Sequence, residues 1–141
     1  MLNLKNKYAA SMIEPAHHRI PEEDIPMYEQ ELGVPFGEQL RAYLLEYGHI
    51  DCGYIELLGI DADLEMHSGM VNHTKRMHQI DISTEDYIAI ENEEGGNYIV
   101  VDKNDKVYHF IRYAKHPNIR PLYMKLDQFL IYRLGMLRSL D

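Results

Sequence analysis

The stretch DYIAIENEEGGNYIVVDKNDKVYHFIR, residues 86–112, decides the fold. Three runs within it, DYIAIE, NYIVVD and KVYHFIR, are rich in β-branched and aromatic side chains, which suit a pleated, half-buried surface. The links between them, ENEEGG and DKNDK, are short and dense in turn formers, so two successive antiparallel hairpins are predicted. On the first run Ile88 and Ile90 share one face, while Tyr87, Ala89 and Glu91 share the other. That is the alternation of a sheet with one covered and one available face.

The Gly95-Gly96 pair inside this stretch raises the alternative of a phosphate-binding loop. Such a loop needs G-x-x-x-x-G-K-[ST] running into a helix, so that backbone N–H groups and a lysine meet the anion. Here Glu91, Glu93 and Glu94 flank the glycines and a strand follows them. Three carboxylates repel an anion, so the pair is read as a turn whose glycines supply positive φ.

Outward from the hairpins, the flanking segments read as helices. Residues 4–13 carry Leu4, Tyr8 and Met12 at i, i+4 and i+8. A helix is predicted from Ile25 to Leu32, with Asp24 as N-cap and Gly33 as stop. A second runs from about Phe36 to Tyr47, with Phe36, Leu40, Leu44 and Tyr47 on one face, and ends at Gly48. YIELLGI, residues 54–60, is a short strand candidate. Ser68 is placed to cap a helix over Gly69–Gln79 whose inner side holds Met70, Val71, Thr74 and Met77. Residues 114–123, with two prolines, read as irregular. The end, LDQFLIYRLGML, reads as a helix with Asp127 as N-cap and a Leu126–Ile131 staple across it. The order implies an α+β single domain over residues 1–141, with a central antiparallel sheet and helices packed against one face.

At 141 residues the chain is long enough for a substantial core, and it carries a net charge of −9. That charge is unevenly spread. Residues 21–102 hold 19 acids against Arg41, Lys75 and Arg76, while residues 103–141 are net +5. An acidic middle disfavours nucleic acid, which needs a basic footprint, and favours a basic protein partner. No apolar run reaches the ~18–20 residues that span a bilayer, and the N-terminus lacks the apolar block of a secretory signal. The lone Cys52 rules out an internal disulfide and fits a reducing, cytoplasmic setting.

Catalytic and metal signatures are missing at the level of sequence. His67, His73 and His78 lie near Asp61, Asp63 and Glu65, yet His73 and His78 are five residues apart. On a helix that spacing turns them ~140° away from each other, unlike the i, i+4 pair of a zinc site. There is no G-x-S-x-G elbow and no S-x-x-K motif, and no base is indicated for Cys52. No metal and no cofactor are expected. The eleven tyrosines point instead to an amphipathic surface that meets a partner.

The segment IPMYEQELGVPFGEQLRAYLLEYG, residues 25–48, resembles the opening signature of the SUKH superfamily. An Ile-led helix with an aromatic-Glu pair is followed by a Val-Pro step into a second helix, here through Ile25, Tyr28, Glu29, Val34, Pro35, Tyr43, Leu44 and Gly48. The hairpin stretch is similar to the family's second block at Gly96, Tyr98, Asp102, Val107, Tyr108 and Phe110. VNHTKRM is similar to the helix that bacterial immunity members place before it. The resemblance spans about residues 20–135. Phe110 departs from the commoner Trp, and Gly48-His49 from a Gly-Gly pair.

The resemblance implies a non-catalytic α+β protein. Many bacterial members are immunity proteins that bind and mask a cognate toxin, often a nuclease, and fungal relatives act in cell-wall assembly and signalling. The expectation is therefore a cytoplasmic immunity protein for a basic toxin, with a monomer as the default state, or alternatively a regulatory scaffold of the same fold. The expected contacts are Asp61, Asp63, Glu65, Glu91, Glu93 and Glu94, with Tyr87 and Tyr98 as aromatic anchors.

Overall fold

A computed structural model describes residues 19–51, 55–61 and 69–138, with side chains as far as residue 135 in the last stretch. In chain order the elements are helices α1 (Ile25–Leu32) and α2 (Glu38–Glu46), strands β1 (Ile50–Asp51) and β2 (Glu56–Leu57), and helix α3 (Gly69–Ile80). Strands β3 (Ile88–Asn92), β4 (Tyr98–Val101), β5 (Lys106–Phe110) and β6 (Ile119–Lys125) follow, then helix α4 (Leu126–Arg138). The fold is α+β. Strands β3 to β6 form one antiparallel sheet in that spatial order, and β1 and β2 make a separate two-stranded ladder.

Both predicted hairpins form. Gly95 and Gly96 turn the first, at φ 80° and 81°, within a single 3-10 turn from Glu94 to Gly96. In the ladder Ala89 faces Val100 and Glu91 faces Ile99, so Ile90 is the extra residue of a bulge. The bulge changes the alternation read from sequence: Ile88, Ala89 and Ile90 are all buried. All four residues of β4 are buried too, so its sides are both covered. Neighbours on a strand point to opposite faces, and Glu91 shares its face with Ile99, not with Tyr98. Arg133 of α4 bonds Glu91, and His73 of α3 bonds Tyr98, so the two helices reach opposite faces.

The outer edge of β3 is closed by neighbours. Leu58 N–H donates to the Ile90 carbonyl over 2.8 Å, and Ala89 N–H donates to Thr74 Oγ1 over 3.0 Å. An edge strand paired in this way offers no template for another chain. Helix α3 turns Met70, Val71, Thr74 and Met77 inward, all buried, as its period predicts.

Glu29 fixes the corner between α1 and α2. Its carboxylate accepts the Phe36 N–H at 2.7 Å and lies 3.5 Å from Arg41. The buried Tyr43 hydroxyl reaches the carbonyls of Leu57 (3.1 Å) and Leu58 (2.9 Å), tying α2 to β2; burial pushes its phenol well above the ordinary range.

Several local expectations are corrected. Residues 119–125 are strand β6 rather than irregular, because Pro121 falls where an edge strand tolerates a missing N–H and Pro117 lies before the strand. Asp24 lies in a 3-10 turn and makes no side-chain cap. Asp127 sits inside the first turn of α4 rather than before it. The N-terminal N–H groups of α4 are instead met from outside: Leu126 N–H by the Asp105 carbonyl at 2.9 Å and Asp127 N–H by Gln39 Oε1 at 2.8 Å. The expectations for residues 4–13, Cys52 and Ser68 lie outside the described residues.

Candidate interaction surface

The turn between β4 and β5 organises the most sharply formed surface. Asp102 ends β4, and its Oδ1 accepts the N–H groups of Asn104 (2.9 Å) and Lys106 (3.0 Å). These bonds hold the turn as an Asx motif. Its Oδ2 accepts the Tyr108 hydroxyl at 3.0 Å. Burial, then this bond, push the Tyr108 phenol up to about 12. Tyr108 in turn meets Tyr87 edge-on, with ring centroids 5.1 Å apart. The Tyr87 carbonyl is held by His78 Nε2 at 2.8 Å.

Beside this pair lies a cleft of about 270 Å³, lined by Val34, Pro35, Asp86, Tyr87 and Asp102, with Lys103 and Asn104 of the turn at its wall as well. Two carboxylates, an aromatic ring and one lysine thus share one opening, with a net negative balance. The combination suits a cationic side chain that buries its stem against the ring. Sequence reasoning did not single out Asp86 or Asp102 as contacts. The signal was there in Asp102, which closes a strand and opens a turn.

The sequence-predicted contacts are not gathered in one place. Tyr87 stands at this end of the sheet. Glu93 and Glu94 stand at the opposite end, beyond β3, where Glu94 is exposed and Glu93 pairs with His109 at 2.5 Å. Glu91 is mostly buried and engaged by the Arg133 guanidinium through two bonds. Tyr98 is 2% exposed and hydrogen-bonded to His73 Nδ1 at 2.8 Å, so its ring faces the core rather than solvent. Asp61 lies 4.0 Å from His49 and lines a smaller cleft of about 150 Å³ together with Asp51 and Glu56. Asp63 and Glu65 lie outside the described residues.

Among the described residues no group of three or more His, Cys, Asp or Glu side chains is arranged to hold a metal. His73 and His78 reach different partners, Tyr98 and the Tyr87 carbonyl. No described helix is long and apolar enough to cross a membrane. What the surface offers is charge and aromatic shape.

Val34, Pro35, Asp102 and Tyr108 come from two blocks far apart in sequence and converge at this end of the sheet. A family model, SUKH_5, described as SMI1-KNR4 cell-wall, matches residues 1–130. The chain belongs to the SUKH family. SUKH proteins are typically non-catalytic immunity or regulatory proteins. A search of curated proteins finds no match to this SUKH chain.

Proposed function

We propose that this SUKH protein is an immunity protein that binds a basic bacterial toxin domain and masks it, with no chemistry and no cofactor of its own. The observation that carries the reading is the cleft of Asp86, Tyr87 and Asp102, set in a segment of strong negative charge. Opposite charge steers the encounter, and a few anchors supply most of the binding energy. Tyr87 and Asp86 are the anchors of this proposal. Asp61, Asp63, Glu65, Glu93 and Glu94 add to the negative charge of the chain, the last two from the opposite end of the sheet, and Glu91 contributes charge from behind its bond with Arg133. The protein acts as a monomer in the cytoplasm, where a delivered toxin would work.

The test is co-expression with any toxin domain that a neighbouring gene proves to encode. Growth should be rescued by the wild type and lost with Asp86→Lys combined with Tyr87→Ala, while the variant still melts cooperatively. Rescue by that double variant would move the contact elsewhere. The family description, which names the cell wall, supports a second reading as a regulatory scaffold. Failure to protect against any neighbouring toxin, with recovery of a wall-synthesis partner through the same cleft, would favour it.

A further inference from the structure

Tyr108 lines a second groove, of about 380 Å³ and different character. Its walls are Val107 and Tyr108 of β5, Pro121 and Met124 of β6, and two lysines, Lys106 and Lys125. The lysines are direct cross-strand partners. Like charges placed opposite one another repel, and among the described residues neither ammonium group has an ion-pair partner.

The strand beside them is distorted in a way that serves exposure. Tyr108 pairs with Pro121 and Lys106 with Lys125. Between those pairs β5 has only Val107, whereas β6 has Leu122, Tyr123 and Met124. This bulge re-aims the chain and leaves Tyr123 at φ 59° with 91% of its surface exposed. A bulky residue in the left-handed region is uncommon, and such positions gather at binding sites. Tyr123 also lines the groove, so an exposed ring stands beside two uncompensated cations and an apolar floor.

We propose that this groove docks an acidic protein segment, in which a carboxylate bridges Lys106 and Lys125 and an apolar side chain lies between Tyr123 and Met124. Charge complementarity selects the sign of the occupant. The apolar floor of Val107, Pro121 and Met124 selects a peptide with apolar side chains over a nucleic acid with its continuous phosphates. Strand addition is not the mode, because Pro121 lacks an N–H and the bulge interrupts the edge. The proposal stands independently of the immunity reading: it concerns a different groove of opposite charge and needs no toxin.

The experiment is a fluorescence-anisotropy titration of the full chain. The probes are a labelled short peptide alternating Asp with Leu, the same peptide with Lys for Asp, and a single-stranded thymidine oligonucleotide of equal length. Saturable binding of the acidic peptide alone is expected, weakened about ten-fold or more by Lys106→Glu with Lys125→Glu. Tyr123→Gly relieves the left-handed backbone, so it should keep or raise the melting temperature while weakening the peptide several-fold. That pairing separates docking from folding. The proposal is overturned if the acidic peptide does not saturate, if the oligonucleotide binds as tightly, or if the lysine reversals leave affinity unchanged. It is also overturned if the groove proves to hold a second copy of the chain, seen as concentration-dependent dimerisation that the lysine reversals abolish.

Discussion

A Cβ placed on Gly37 would lie 2.2 Å from Oδ1 of Asp105. The two residues touch because the buried Asp105 carboxylate accepts the N–H groups of Gln39 (2.9 Å) and Leu40 (3.0 Å) at the start of α2. It caps that helix from a turn 66 positions away in sequence, and its negative charge sits favourably at a helix N-terminus. The same residue gives its carbonyl to Leu126 at the start of α4. One turn residue therefore joins two helices to the central hairpin.

Asp105→Ala should lose about 2–4 kcal/mol of unfolding free energy in urea, since it leaves one part-buried and one buried N–H without an acceptor. Asp105→Gly, which suits the φ of 64°, should lose nearly as much and so assign the cost to the bonds rather than the backbone. Gly37→Ala should also destabilise. Combined with Asp105→Gly it should cost less than the two changes added together, because the clash needs both side chains. Strict additivity would refute the contact.

Stability should fall as pH drops through about 6.5, the ordinary value for a histidine. Burial, then the nearby Arg76, hold His73 below that value, with Glu56 opposing. Between the two values the unfolded chain binds the extra proton and the folded chain does not, so stability rises with pH across that window. His73→Gln should flatten this part of the profile. An unchanged slope in thermal melts would show that other groups set it.

A second acid step is expected below 3.8, the ordinary value for Asp81. Hydrogen bonds from Ser83, then from Asn118, hold this carboxyl down. Its contribution is present above the unfolded value and lost as pH falls through the folded one. Asp81→Asn should remove that step while leaving the His73 step in place, as read by denaturation at graded pH.

Glu91→Gln should destabilise by about 1–3 kcal/mol, because it breaks a largely buried, two-bond pairing with Arg133. Glu94→Gln, fully at the surface, should stay within about 0.5 kcal/mol. Equal effects from both, measured side by side in urea, would contradict the packing of α4 on β3.

Much of the fold was legible because its signals are local. The limits of α1, the buried stripe of α3 and the three central strands follow from spacing and turn chemistry within a few residues. Strand β6 was missed because Pro117 and Pro121 read locally as breakers, and nothing local says that the segment lies on an edge. Tyr98 reads from sequence as an anchor on or beside the open face, because alternation does not reveal that His73 from another helix bonds its hydroxyl. The Glu91–Arg133 pairing spans 42 positions and leaves no trace in either segment alone. The acidic field was visible as composition, but its focus at Asp86 and Asp102 needed the Val34–Pro35 step to be brought across to them.

The Tyr108 ring lines the groove that carries Lys106 and Lys125, and its hydroxyl bonds Asp102, which lines the cleft with Asp86. A surface with both signs so close has a local dipole, and a dipole exerts torque as well as pull. An approaching molecule with matching polarity would be turned before it touches, and one with reversed polarity would be turned away. Net charge governs how often partners arrive at this end of the sheet; the closeness of the two signs governs which way round they land.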